Sequence, residues 1–149
     1  MWYFTEEEKM IAESTRAFAL QHLAPKIEHL DEIESFNDEA FRKIGDMGLL
    51  GITVAEEDGG AGMGAVAATL VMEEMAAVDA STTLSYLAHT ILCVNQIGTN
   101  ASKEQKQKYL PKLISGEQIG GMGMSEPGSG SDALGMLTRA EKQPNGSYK

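Results

Sequence analysis

The chain has 149 residues, of which 42% are hydrophobic and 23% charged, and 12 Lys plus Arg stand against 22 Asp plus Glu for a formal net charge of −10. That length and apolar content support a packed core and exclude a disordered tail or a collagen-like repeat. An acidic chain without a basic run lacks the footprint for nucleic acid and is repelled by an anionic membrane surface, and no apolar run approaches the ~18 residues of a spanning helix, so neither partner is expected.

The opening, MWYFTEEEK, has neither the apolar stretch of a signal peptide nor the Arg-rich texture of a transit peptide. Residues 5–30 read as helix, with Thr5 and Glu8 at capping-box spacing and Ile11, Phe18 and Ile27 on one apolar stripe. Pro25 should kink or restart that helix. Asn37 is the expected N-cap of a second helix through Phe41, Ile44 and Met47, and Gly48 its stop. The Gly-rich loop EEDGGAGMG follows at 56–64. Ala65–Val78 and Ser81–Ile97, rich in Ala, Leu and Met, read as two largely buried helices. Ser102 and Gln105 repeat the capping-box spacing, opening a helix that ends near Ser115 with Gly116 beyond and Pro111 inside. From Gln118 a Gly-interrupted apolar stretch, the loop SEPGSGSD, Leu134–Lys142 and the turn Pro144-Asn145-Gly146 point to the start of a β region.

The segment Gly121–Asp132, GMGMSEPGSGSD, carries the chemistry. Five of its twelve residues are Gly or Pro and three are Ser. Glycine lets backbone N–H groups approach a ligand and permits positive φ. Ser hydroxyls and successive N–H groups can hold phosphate oxygens or the polar edge of a flat ring. A plain surface turn is the other reading of such a composition. No Gly-Lys-Ser/Thr follows, so it is not a P-loop, and no GxGxxG opens a helix after a strand.

The order of residues is more specific. Gly123-Met124-Ser125-Glu126-Pro127-Gly128-Ser129-Gly130-Ser131-Asp132-Ala133-Leu134-Gly135 resembles the signature of the acyl-CoA dehydrogenase family: small, aliphatic, Ser/Thr, Glu, two free positions, small, Gly, Ser/Thr, Asp, two free positions, small. Met47–Ile52 with Glu57–Gly62 resembles that family's "GLLGI…EYGGAG" segment, and Tyr109–Glu117 its "YLPKLISGE" segment. Leu84–His89 and Leu92–Gln96 are most similar to the isovaleryl-CoA dehydrogenase branch. The likeness runs through nearly the whole chain.

The resemblance implies a mainly α fold, with an all-α domain over residues 1–117 followed by the first strands of a β-barrel-like middle domain over 118–149, incomplete here. It implies FAD-dependent dehydrogenation of a short, branched acyl-CoA to the 2,3-enoyl-CoA, with electrons passed to an electron-transfer flavoprotein, by a homotetramer. Met122, Met124 and Ser125 would lie along the flavin ring. Gly130 and Ser131 would meet the FAD pyrophosphate, and Ser131 also the acyl-CoA. No catalytic residue is assigned: the family's base is a Glu on a later helix, and its second flavin segment, a strand, and its C-terminal helical bundle also come later in the family's order. The chain therefore reads as a front portion, inactive alone. Glu126 is expected to serve the loop's structure. The resemblance places the chain in the bacterial cytoplasm or the mitochondrial matrix of a eukaryote.

Other candidates point to ordinary structure. His22, His29 and His89 lack ligand spacing, and no metal is expected. Glu73 and Glu74 read as partnered or exposed, Glu56-Glu57-Asp58 as a solvated loop, and Cys93 as a small buried hydrophobe that cannot form an internal disulfide, which suits a reducing compartment. A second class also fits, a non-catalytic helical module acting by association with other chains. The sequence encoded beyond Lys149 separates the two.

Overall fold

A computed structural model describes residues 3–149. Met1 and Trp2, which open the segment read for a targeting signal, lie outside the described residues. Helix α1 spans Glu6–Phe18 and starts at the expected capping box, with the Thr5 side chain accepting from the Glu8 N–H and the Glu8 carboxylate from the Thr5 N–H. It continues through a π turn at Ala19–Leu23 and a 3-10 turn at Ala24–Lys26 into α2, Ile27–Glu32. Pro25 sits in that irregular stretch, where its missing N–H and its ring are tolerated. Asn37 caps α3, Asp38–Asp46, by accepting from the Ala40 N–H. Gly48 then turns the chain with φ 75°, a left-handed conformation that costs glycine little.

The Gly-rich loop holds a short 3-10 turn at Glu56–Asp58, and Asp58 pairs with Lys106 at 2.8 Å. Helix α4 is Ala65–Ala76. Asp79 caps α5, Ala80–Tyr86, which runs on as a π stretch, Leu87–Val94, into α6, Asn95–Asn100. Helix α7, Lys103–Ile114, starts at the Ser102–Gln105 capping box, carries through Pro111, and ends before Gly116 at φ 73°.

Helix α4 lies against α1 and α5. The main core joins Phe18, Leu23, Phe41, Ile44, Leu50, Val71, Met75 and Tyr86, all buried. The buried Tyr86 hydroxyl donates to the Leu49 carbonyl at 3.0 Å, and burial pushes its pKa up. A second cluster of Val54, Val94, Leu110 and Leu113 ties the end of the π stretch and α7 to the segment just before the Gly-rich loop. Close backbone contact helps: a Cβ on Gly45 would stand 2.5 Å from the Ser115 carbonyl oxygen.

The β character expected from Gln118 appears as extended backbone with two isolated antiparallel bridges, Glu126 to Ser129 and Lys142 to Tyr148. A strand is completed by a neighbour that pairs its N–H and C=O groups, and among the described residues 118–149 find none longer than these. The expected turn forms, with Gly146 donating to Gln143 at 2.9 Å at φ 82° and Glu141 and Lys149 exchanging both backbone bonds.

Candidate functional site

The candidate loop leaves the helical body at the end of α7. Leu113 accepts from the Gly116 N–H, and Lys112 from the Gln118 N–H at 2.9 Å. Gly120 then lies on the π stretch, donating its N–H to His89 Nδ1 at 2.9 Å. No hydrogen bond is made by residues 121–125 among the described residues. The chain is caught again at Glu126, which exchanges both backbone bonds with Ser129, at 2.8 and 3.1 Å.

Three side chains hold the rest of the loop. The Glu126 carboxylate accepts from the Leu137 and Thr138 N–H groups, each at 2.8 Å. The bond from Leu137, with those from Thr138, holds its pKa below the ordinary carboxylate value. Ser129 is buried and its hydroxyl donates to the Asp132 carbonyl. The Asp132 carboxylate accepts from the Gly135 N–H at 3.1 Å and caps the turn Ala133–Gly135. Glu126 thus takes the loop-tying role expected of it.

The residues singled out for a ligand lie beside these anchors, and all are exposed. Met122 and Met124 are 41% and 46% exposed. Among the described residues, the hydroxyls of Ser125 and Ser131 and the N–H groups of Gly130 and Ser131 have no protein partner. A Cβ on Gly130 would meet nothing within 4 Å. The left-handed glycines are Gly48, Gly59, Gly62, Gly116 and Gly146, and Gly130 is not among them. The Gly130 site is open because no neighbour crowds it, and not because its backbone is strained. The loop presents N–H and O–H donors and two thioether side chains, and 121–135 contains no Lys or Arg. Such a donor set fits an anionic group next to a flat, partly apolar ring.

Sequence reasoning passed over His89. Its ring is buried, edge-on to Phe41 with centroids 5.1 Å apart, and burial lowers its pKa. Its partners lie 24 and 31 residues away, beyond any local spacing signal. Glu74 pairs with Arg16 at 2.6 Å. Cys93 is half-buried, its thiol pKa raised by burial.

The family model described as "Acyl-CoA dehydrogenase, N-terminal domain" matches residues 5–117. The chain is 45% identical to the mitochondrial isovaleryl-CoA dehydrogenase of Bos taurus over 140 residues, covering 93% of this chain and 33% of that protein. Butyryl-CoA dehydrogenase from Megasphaera elsdenii superposes with a TM-score of 0.88 at 28% identity, over 99% of this chain and 39% of that one. An acyl-CoA dehydrogenase from Bacillus anthracis complexed with FAD superposes with a TM-score of 0.85 at 36% identity, over 96% of this chain and 24% of that one. The chain spans about a third of the length of the curated relatives it matches.

Proposed function

The chain belongs to the acyl-CoA dehydrogenase family, and from that premise we propose that residues 121–135 form part of an FAD site in an enzyme that dehydrogenates a short, branched acyl-CoA. The observation that carries this reading is the division of labour in the loop. Glu126, Ser129 and Asp132 close internal hydrogen bonds, while Ser125, Gly130 and Ser131 keep their donors open to a ligand.

Met122, Met124 and Ser125 lie along the ring system, and the Ser125 hydroxyl bonds its polar edge. The N–H groups of Gly130 and Ser131 and the Ser131 hydroxyl hold the pyrophosphate. Ser131 also touches the acyl-CoA thioester. N–H and O–H donors suffice for an anion where no cationic side chain is near. FAD, when bound, supplies the acceptance of a hydride from the substrate β-carbon. This chain's residues bind and orient, and the α-proton goes to a base outside the 149 residues, so the chain alone is expected to give no turnover in a dye-reduction assay with isovaleryl-CoA and FAD. The identity to isovaleryl-CoA dehydrogenase supports the branched substrate. Family membership supports electron-transfer flavoprotein as acceptor and a homotetramer as the assembly. We place the boundary between the helical domain and the following β domain at 117/118, and the enzyme in the bacterial cytoplasm or, in a eukaryote, the mitochondrial matrix. No described helix is long and apolar enough to cross a membrane.

Gly130→Val tests the site. The added side chain meets open space and no positive φ is disturbed, so the fold should tolerate it while the ligand loses room. Titration of the chain with FAD, followed by flavin fluorescence, should show binding by the parent and a marked loss in the variant. Equal affinity overturns the proposal.

A further inference from the structure

We infer that His89 is the positioning residue of the candidate loop, setting from within the π stretch where residues 121–125 leave the helical body. Its Nδ1 accepts the Gly120 N–H at 2.9 Å, and its Nε2 lies 3.0 Å from the Leu113 carbonyl oxygen. A carbonyl only accepts, so Nε2 carries the proton and Nδ1 is bare. A single neutral tautomer satisfies both partners, whereas an imidazolium would set two N–H groups face to face at Gly120.

A second observation points the same way. Cys93 lies four residues after His89, and a Cβ on Gly120 would stand 2.5 Å from its Sγ and 3.2 Å from the Leu113 Cδ2. Only a residue without a side chain lets the backbone come down far enough for its N–H to reach the ring. Gly120 is the last tied residue before Glu126 among the described residues. The five residues between, which include Met122, Met124 and Ser125, hang from these two anchors. Displacing the Gly120 end therefore displaces the side chains assigned to the ring. What the loop holds rests on the flavin reading above, but the placement of the loop does not.

Two substitutions separate this role from simple core filling. The Asn side-chain carbonyl in His89→Asn falls where Nδ1 was and keeps the Gly120 acceptor while giving up Leu113. The Gln side-chain amide in His89→Gln reaches the place of Nε2 and keeps the Leu113 donor while giving up Gly120. The experiment uses the 149-residue chain, labelled for NMR. Its readouts are Gly120 amide exchange, the Met122 and Met124 methyl resonances, and FAD affinity. His89→Gln should speed Gly120 exchange by about twofold to tenfold, the scale of one hydrogen bond. It should also move both methyl resonances and weaken FAD by a similar factor. His89→Asn should leave all three near the parent. Equal behaviour of the two variants, or unmoved methyl resonances in His89→Gln, overturns the inference. Should either variant fail to fold, the parent decides, because a neutral ring protonated at Nδ1 overturns it and one protonated at Nε2 supports it. If the methyl groups respond but the parent binds no FAD, the positioning role stands and the flavin reading falls.

Discussion

From Glu6 to Ile114, buried side chains such as Phe41, Leu50 and Tyr86 interlock, and helices α1, α3, α5 and α7 each start at a side-chain cap. From Gly121 onward the large apolar groups face outward: Leu134 is 99% exposed, Leu137 79% and Tyr148 66%. Backbone order there comes from a few directed bonds made by Glu126, Ser129, Asp132 and the turn at Gly146. A helical residue is placed by many neighbours at once, and removing one costs stability. A loop residue is placed by one or two bonds, and the donors left over are available to a ligand. Apart from His89, which reaches out to Gly120, changes in the first region should register in unfolding, and changes in the second in binding.

The largest test of that contrast is Phe41→Ala. It should cost ~3–5 kcal/mol of unfolding free energy through lost burial and the cavity left behind. Leu134→Ala should stay within ~0.5 kcal/mol. Urea denaturation measures both, and similar losses would break the comparison. Next is Ser131→Ala, expected to leave urea stability unchanged while weakening FAD and acyl-CoA. Loss of a hydrogen bond to a charged group costs ~1.5–3 kcal/mol, or roughly tenfold to hundredfold in dissociation constant. Equilibrium dialysis against each ligand checks it. A smaller effect belongs to Ser102→Ala, which removes the cap of α7 and should lower stability by about 1 kcal/mol with FAD affinity retained.

The mildest test is acid. The folded-state pKa of Glu126 is depressed below its ordinary value of 4.5, so its contribution is present above that value and lost as the pH falls through the lower folded one. Protection of the Leu137 and Thr138 amides should fade in that window while the helical circular dichroism persists. Amide exchange at a series of acid pH values would show it.

Three of the four capped helix starts were legible because caps are local, while the Asp79 cap of α5 was not read. Thr5 with Glu8, Asn37, and Ser102 with Gln105 each act within three residues. The stops at Gly48 and Gly116 and the turn at Gly146 were legible because their left-handed φ favours glycine. The π stretches at 19–23 and 87–94 were not, since one wider turn hardly alters the spacing of apolar residues. Strand texture from Gln118 was readable, but pairing depends on a partner that the texture does not contain. At the candidate site, the Ser and Gly donors could be named from composition and motif. The His89 anchor could not, because a contact across 31 residues leaves no periodic trace. At Gly130 composition alone does not say whether a glycine serves a left-handed turn or open space, and the structure shows the second.

The π stretch also bears on which genetic changes the long helix can absorb. Thr82, Tyr86, Thr90 and Val94 are spaced by four and all are buried. In a plain α-helix that row would drift about 40° at each step. The wider turns of 87–94 rotate less per residue and take the drift back, so the row stays on one face. Losing a single codon within 87–94 would let the helix relax to ordinary α geometry, in which seven residues cover nearly the rotation that eight cover here. Val94 would then keep its bearing on its cluster and α6 its register with α7. Losing a codon from the α-helical Ala80–Tyr86 would instead turn everything after it by about 100°, so the π stretch is where this helix should best accept a change in length.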